Sequence, residues 1–281
     1  MVVGDVMLDR YITGDITRTA PESGAPILLE TGAVAMPGGA ANVALNLAAM
    51  GAQVRLIGFA GDDSDGRDLA GILQQKGVTT ALIDAGRPTI CKTRMTGNGT
   101  MIMRHDREET GPVSAEAEKD ITAAIYASVV KVIILSDYNK GCINDAVIAA
   151  ALEKHIPVLV DSKKQDLSAF RGAALVTPNR VELQDRYPSL GEEEAGKTLC
   201  AECGIDAVLL TRSEDGAALI RLDAETVFYA AEAKQVIEVS GAGDSVIAAT
   251  ALALASGWSL EEACRLGNRA GSRAVEKPGT T

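Results

Sequence analysis

The residues best suited to chemistry lie near the C-terminus, in Ser240-Gly241-Ala242-Gly243-Asp244-Ser245, directly before an alanine-rich segment of helical composition. Two glycines one residue apart let successive backbone N–H groups converge at a helix start, a concave site of positive potential that suits a phosphate or a developing phosphoryl charge. Asp244 falls in the first turn of that helix. A carboxylate there can accept a proton from a substrate hydroxyl while the N–H groups of Gly241, Ala242 and Gly243 stabilise the group being transferred. The same residues also suit a plain helix start, with an acid favoured by the macrodipole and glycines for close packing. A second glycine-rich start, Pro37-Gly38-Gly39-Ala40-Ala41-Asn42, opens a helix near the N-terminus, and two such sites suit an enzyme that grips two ligands. The C-terminal motif lacks the third glycine of a dinucleotide fingerprint, so nicotinamide chemistry is not expected; no Gly-x-x-x-x-Gly-Lys-Ser/Thr loop is expected anywhere in the chain, and a P-loop kinase is therefore unsupported.

These motifs need a frame. A buried apolar strand over 1–6 presents Asp5 and Asp9 at its carboxyl end. Residues 11–36 turn threonine-rich and are punctuated by Gly and Pro, with short strands at 11–13 and 27–31 too polar for a core. Segments 89–96 and 100–106 flank Gly97-Asn98-Gly99, where Asn-Gly between alternating runs signals a hairpin. These two regions read as a small β flap. Elsewhere strands at 54–59, 79–83, 131–135, 157–161, 174–176, 207–211, 217–221 and 226–229 interleave with helices at 43–50, 64–75, 113–129, 144–154, 192–203, 241–256 and 260–275. That rhythm predicts an α/β fold: a doubly wound, mostly parallel sheet with helices on both faces and ligands at the carboxyl ends of the strands. With no linker or repeat, 1–281 reads as a single domain.

Composition narrows the function. The 281 residues carry 27 Lys and Arg against 38 Asp and Glu, a net charge of −11, with 47% hydrophobic residues, so the chain is globular in character. The acidic balance disfavours nucleic acid and anionic membrane surfaces as partners, and 3% aromatics with a single tryptophan, Trp258, leave little for base stacking. The apolar stretch at 246–256 is about half the ~20 residues that a membrane span requires. No Lys- or Arg-led leader opens the chain, and five scattered cysteines, an odd number, point to a reducing compartment, the cytoplasm. Cys200 and Cys203 lack a second pair for zinc, and His105 and His155 lack ligand-like neighbours, so neither pair is read as a metal site.

The paired glycine motifs resemble the signatures of the ribokinase (PfkB) family of carbohydrate kinases, a Gly-Gly-x-x-x-Asn helix start and a C-terminal Asp-Thr-x-Gly-Ala-Gly-Asp. The likeness spans the chain. It is closest to the branch that phosphorylates a heptose 7-phosphate, through residues 3–11, 37–45, 135–141, Thr177-Pro178-Asn179 with Glu182, and 210–216. It implies a ribokinase-like fold, ATP and Mg²⁺, Asp244 as the base, and 241–243 as the anion hole. It further implies Asn179 and Glu182 near Mg²⁺ and phosphate, Glu182 through water, with Thr211, Arg212 and Gly216 at the nucleotide phosphates and Asn268 at the adenine. Asp5, Asp9, Gly38, Gly39 and Asn42 would contact the sugar, as would Asp137. For the sugar's own phosphate, Arg94, Arg104, Lys140 and Lys163 are the local cations, the first two on the flap of the same or a partner subunit in an expected homodimer. Ser240 stands where the family has Thr, keeping the hydroxyl, and Glu238 replaces Asp near a monovalent-cation (K⁺) site. A glycine-containing stretch at 20–26 departs from the heptose kinases, and other sugars or sugar phosphates remain alternative substrates.

Overall fold

The computed structural model describes residues 1–233, 235–237 and 239–276. In chain order its elements are β1 (Val2–Gly4), β2 (Val6–Thr19), β3 (Pro26–Gly39), α1 (Ala40–Ala49), β4 (Arg55–Phe59), α2 (Ser64–Gln75) and β5 (Thr79–Ile83). There follow β6 (Cys91–Gly97), β7 (Thr100–Arg107), α3 (Ala115–Tyr126), β8 (Ile133–Asp137), α4 (Asp145–Leu152), β9 (Val158–Ser162) and β10 (Leu175–Val176). The chain continues through α5 (Arg180–Arg186), α6 (Glu192–Cys203), β11 (Val208–Thr211), β12 (Ala217–Ile220), β13 (Val227–Tyr229), α7 (Ala242–Ala255) and α8 (Leu260–Ala274).

The main sheet has the order β13-β12-β11-β10-β9-β8-β1-β4-β5, with every pair parallel except those that β12 makes with β11 and β13. Its central strands are buried on both faces, which explains their unbroken apolar runs, and alternation along each strand sorts the side chains into two cores. Val3, Ile57, Leu135 and Val160 face α3, α4 and α6, whereas Val2, Leu56, Ile134 and Leu159 face α1, α2 and α7. This is the doubly wound α/β architecture expected. Because β4 lies on one side of β1 and β8 on the other, the connections diverge at β1, and the crevice that such a switch point opens lies beyond the carboxyl ends of β1 and β8.

A second, four-stranded sheet, β3-β2-β6-β7, forms the flap. Its tip is the expected two-residue hairpin: Gly97 pairs with Thr100, and Asn98 and Gly99 have φ of 50° and 79°, the positive pair that a type I′ turn demands. The flap strands β2 and β3 are 14 residues each, longer than the short strands read from sequence. Their polarity suits a two-layer structure that water reaches, and β2 continues straight on from β1 with only Asp5 between. The flap is fastened to the body by charge. Arg10 of β2 and Arg107 of β7 both reach Asp65 of α2, at 2.7 and 2.6 Å, and Arg107 also reaches Asp63 at 2.9 Å.

Two further differences concern helices. α1 begins at Ala40, so Gly38 and Gly39 close β3 instead of forming a turn. α5, whose capping box is formed by Asn179 and Glu182, is a helix of its own. The letters of a P-loop, Gly-x-x-x-x-Gly-Lys-Thr, do occur at 191–198, contrary to the expectation that the chain holds none. They form α6, with three glutamates in its first turn, and Gly196 serves packing, since a Cβ there would lie 2.6 Å from Ile220. A continuous acidic helix start cannot cradle phosphate as that loop does.

α7 and α8 meet through Gly267, where a Cβ would lie 2.1 Å from Oγ1 of Thr250, itself buried and bonded to Val246 O. Gly267→Ala is therefore expected to lose about 1–3 kcal/mol in urea denaturation. Gly71→Ala in α2, where a methyl meets nothing, should gain about 0.5–1 kcal/mol.

Candidate active site

Gly241 caps α7 with φ 78°, a conformation glycine adopts without strain, and this turns the N–H groups of the first turn outward. A Cβ on Gly243 would meet nothing within 4 Å, so the space above the helix start is open to a ligand. Asp244 sits in that turn, 6% exposed. Its Oδ2 accepts from Nδ2 of Asn42 at 2.7 Å and its Oδ1 from the Tyr138 hydroxyl at 3.0 Å. One residue on, Ser245 donates to Asn46 Oδ1 at 3.1 Å. The two glycine-rich helix starts thus face one another, as two facing ligand sites require. Gly38 and Gly39 let the end of β3 lie close against the residues after β1: Cβ atoms there would fall 2.2 Å from Asp9 Oδ2 and 2.4 Å from Asp5 O.

Burial pushes the Asp244 carboxyl up to about 7, and the negative charge of Asp161 adds to this; the hydrogen bonds from Asn42 and Tyr138 and the charge of Lys163 oppose it. A carboxyl poised near neutrality is suited to accept a proton in the reaction and release it afterwards. Asp161, at the end of β9, is a site residue that no sequence motif marks. Strand alternation places it: it shares parity with Leu159, on the α7 face of the sheet. Burial raises its pKa in turn, and Lys163 at 3.2 Å counters this. Lys163 also donates to Glu182 Oε1 at 2.7 Å, and its Nζ lies 6.0 Å from the Tyr138 ring centroid. Asn42, Tyr138, Asp161, Lys163, Glu182 and Asp244 therefore form one connected cluster.

Not every expected sugar ligand joins it. Asp5 turns both oxygens onto backbone N–H groups of the loop after β8: Tyr138 at 2.8 Å, Lys140 at 3.0 Å and Cys142 at 3.0 Å. Asp137 lies on the opposite sheet face from Asp161, fully buried, where it accepts from Ser162 at 2.8 Å and pairs with Lys164 at 3.2 Å. In this structure both carboxylates are engaged by protein groups. Asp9 does face the crevice, beside Gly38, and is paired with Arg94, whose guanidinium also lies 5.3 Å from the Tyr11 ring centroid. Arg104 stands opposite Arg94 across β6 and β7 and forks onto Asp106 with two 2.9 Å bonds. Lys140 pairs with Glu108 at 2.8 Å.

On the nucleotide side, Thr211 ends β11 and bridges to Asn179, whose side chain caps α5. Gly216, at φ 84°, closes the following turn and accepts at its carbonyl from Arg212 N at 2.8 Å. The Arg212 side chain pairs with Glu192 at 2.7 Å and covers Phe228, so it braces this wall. Asn268 donates to Ala230 O at 2.8 Å, pinning the 230 segment to α8. Glu238 lies outside the described residues. Among the described residues no group of three or more His, Cys, Asp or Glu could hold a metal by itself. Mg²⁺ arriving on nucleotide phosphates needs only one or two carboxylates and water, and Glu182 beside the cluster fits that demand. All five cysteines are buried and unpaired, and no helix among the described residues is long and apolar enough to cross a membrane.

A proton acceptor poised at a glycine helix start, at the carboxyl edge of a doubly wound sheet and under a β flap, defines a sugar-type phosphotransferase. The comparisons agree: the model for pfkB family carbohydrate kinases matches residues 1–281, and the chain belongs to that family. It is 44% identical to the bifunctional protein HldE of Azorhizobium caulinodans over 99% of this chain and 61% of that protein. It is 40% identical to that of Hydrogenovibrio crunogenus over 100% and 60%. The chain thus spans about three-fifths of the length of these relatives. Among solved structures, phosphofructokinase-2 from Escherichia coli in complex with potassium superposes with a TM-score of 0.83 at 23% identity, covering 100% of this chain and 94% of that one. Arabidopsis thaliana ribokinase complexed with ribose and ATP gives 0.74 at 21%, covering 99% and 92%. Both show the ribokinase-like fold.

Between the ordinary value of 3.8 and about 7, the native protein keeps a proton on Asp244 that the unfolded chain has released, so this residue's contribution to stability falls as pH rises through that window. Asp244→Asn should therefore gain about 1–3 kcal/mol relative to wild type between pH 5 and pH 8, read from urea melts at both.

Proposed function

We propose that this chain transfers the γ-phosphoryl group of ATP to the C1 hydroxyl of D-glycero-β-D-manno-heptose 7-phosphate, giving the 1,7-bisphosphate used in lipopolysaccharide-core precursor synthesis. The observation that carries the chemistry is Asp244, buried, pinned by Asn42 and Tyr138, and set beside the open start of α7. In this reading Asp244 takes the hydroxyl proton as the oxygen attacks in line, and the N–H groups of Gly241, Ala242 and Gly243 hold the phosphoryl charge. Glu182, through water, would help hold Mg²⁺ that arrives with the nucleotide, and the ion would supply positive charge to the phosphates. Asp9 and Asn42 orient the sugar, and Thr211, Gly216 and Asn179 line the nucleotide side. The choice of a heptose phosphate rests on the resemblance of residues 3–11 and 135–141 and on the HldE relatives. For the second phosphate, Arg94, Arg104, Lys140 and Lys163 are the cations at hand, each already paired with a carboxylate.

ADP release should be measured with heptose 7-phosphate, ribose, fructose and fructose 6-phosphate. Turnover is expected with the heptose phosphate and should drop about 10³-fold or more in Asp244→Asn, which folds normally. Turnover with another sugar alone would overturn the substrate, and near-normal turnover in Asp244→Asn would overturn the base. Replacing K⁺ by a bulky monovalent cation in the same assay tests the cation requirement. Both edge strands of the flap expose apolar side chains, Val34 on β3 and Met101, Ile102 and Met103 on β7, which supports a homodimer. Light scattering should return twice the 29.2 kDa chain mass, and a monomer would refute it.

A further inference from the structure

We infer that Tyr138 is a positioning residue for the proton acceptor: its phenol O–H fixes one oxygen of Asp244 so that the carboxylate presents a constant face to the substrate hydroxyl. This rests on the kinase reading above and extends it to a residue outside the glycine motifs. With one donor on each oxygen, Asn42 at 2.7 Å and Tyr138 at 3.0 Å, the carboxylate cannot rotate without breaking a bond.

Tyr138 is itself held rigidly. Its N–H donates to Asp5 Oδ2 at 2.8 Å. The turn that follows is closed by Asn139 at φ 58°, whose N–H donates to Asp137, and by Gly141 at φ 98°, where a Cβ would lie 2.3 Å from Gly111 O. Asp5 and Asp137 thus fix the backbone that aims the phenol. Burial and the nearby charges of Asp244 and Asp161 drive the phenol far above its usual range, so it stays a neutral donor throughout the working pH range. The other groups facing Asp244 are Asn42 from α1 and Asp161 and Lys163 from the end of β9, while α8 meets α7 through Gly267 and Gly271. Of these, Tyr138 is the one whose contact a single-atom deletion removes without changing charge.

The test uses the whole chain with ¹³C-labelled aspartate, Asp244 being assigned by its loss in Asp244→Asn. In Tyr138→Phe the Asp244 midpoint should rise, corresponding to about 3- to 10-fold tighter proton binding, because a donor to the charged form is lost. The acidic limb of kcat should move up by the same amount, with kcat about 2- to 5-fold lower at pH 7 and KM for ATP within about twofold. An unchanged midpoint overturns the inference, whether or not a sugar is turned over. In the wild-type protein the Tyr138 ¹³Cζ shift should follow the Asp244 titration and lose that step in Asp244→Asn; a shift independent of Asp244 also overturns it. Absence of turnover with every sugar would sink the kinase reading, and the two titrations would still decide the role of Tyr138.

Discussion

A single buried hydrogen bond, Asn42 to Asp244, joins two helix starts 202 positions apart, and the rest of the site depends on it. A carboxylate this deeply buried is costly unless donors meet it, and here the desolvation is only partly offset. The chain can bring those donors close only because Gly38, Gly39 and Gly241 accept conformations or contacts that a side chain would block. Packing glycines in α8 let α7 settle tightly enough to hold the acid in register. Stability is therefore sacrificed locally for a proton acceptor poised near neutrality, a common signature of a working site.

The same constraint organises the sheet. Strand ends β11, β10, β9, β8 and β1 lie side by side, so Thr211, Asn179, Asp161, Tyr138 and Asp5 form a row along one edge although they are far apart in the chain. Asp244 reaches that row from α7, and the flap rises from the β1 end of it. Its strands are tied on one face to Asp63 and Asp65 of α2 through Arg10 and Arg107, while the alternate residues, Asp9, Arg94 and Arg104, occupy the other face.

Charge is managed by local pairing. In an acidic protein the cations expected to meet a phosphate already have carboxylate partners: Arg94 with Asp9, Lys163 with Asp161 and Glu182, Lys140 with Glu108, Arg104 with Asp106. A phosphate must exchange those partners, which favours ligands that offer charge and shape together over any anion. In the site itself, Lys163 stands between Asp161 and Glu182 and tempers the field that Asp244 feels.

Much of this was legible in the residues themselves. Apolar runs with helical spacing between them determined the doubly wound sheet, Asn98-Gly99 determined the hairpin, and the two glycine starts marked Asn42 and Asp244, which the fold brings together. These are local signals, set by backbone sterics and by which side chains water excludes. What the tertiary structure alone decided is which carboxylates face the ligand. Asp137 and Asp161 both end buried strands, and nothing in their neighbours separates them; strand register and sheet face put Asp161 beside Asp244 and Asp137 under Lys164. The backbone N–H groups that Asp5 accepts from come from the loop after β8, and Tyr138 gained its place only through that loop. The letters at 191–198 spell a phosphate loop, yet packing against Ile220 makes them a helix. The physical reason is the same in each case: sequence specifies a side chain's chemistry, whereas its partners come from strands and helices that meet only when the chain has folded.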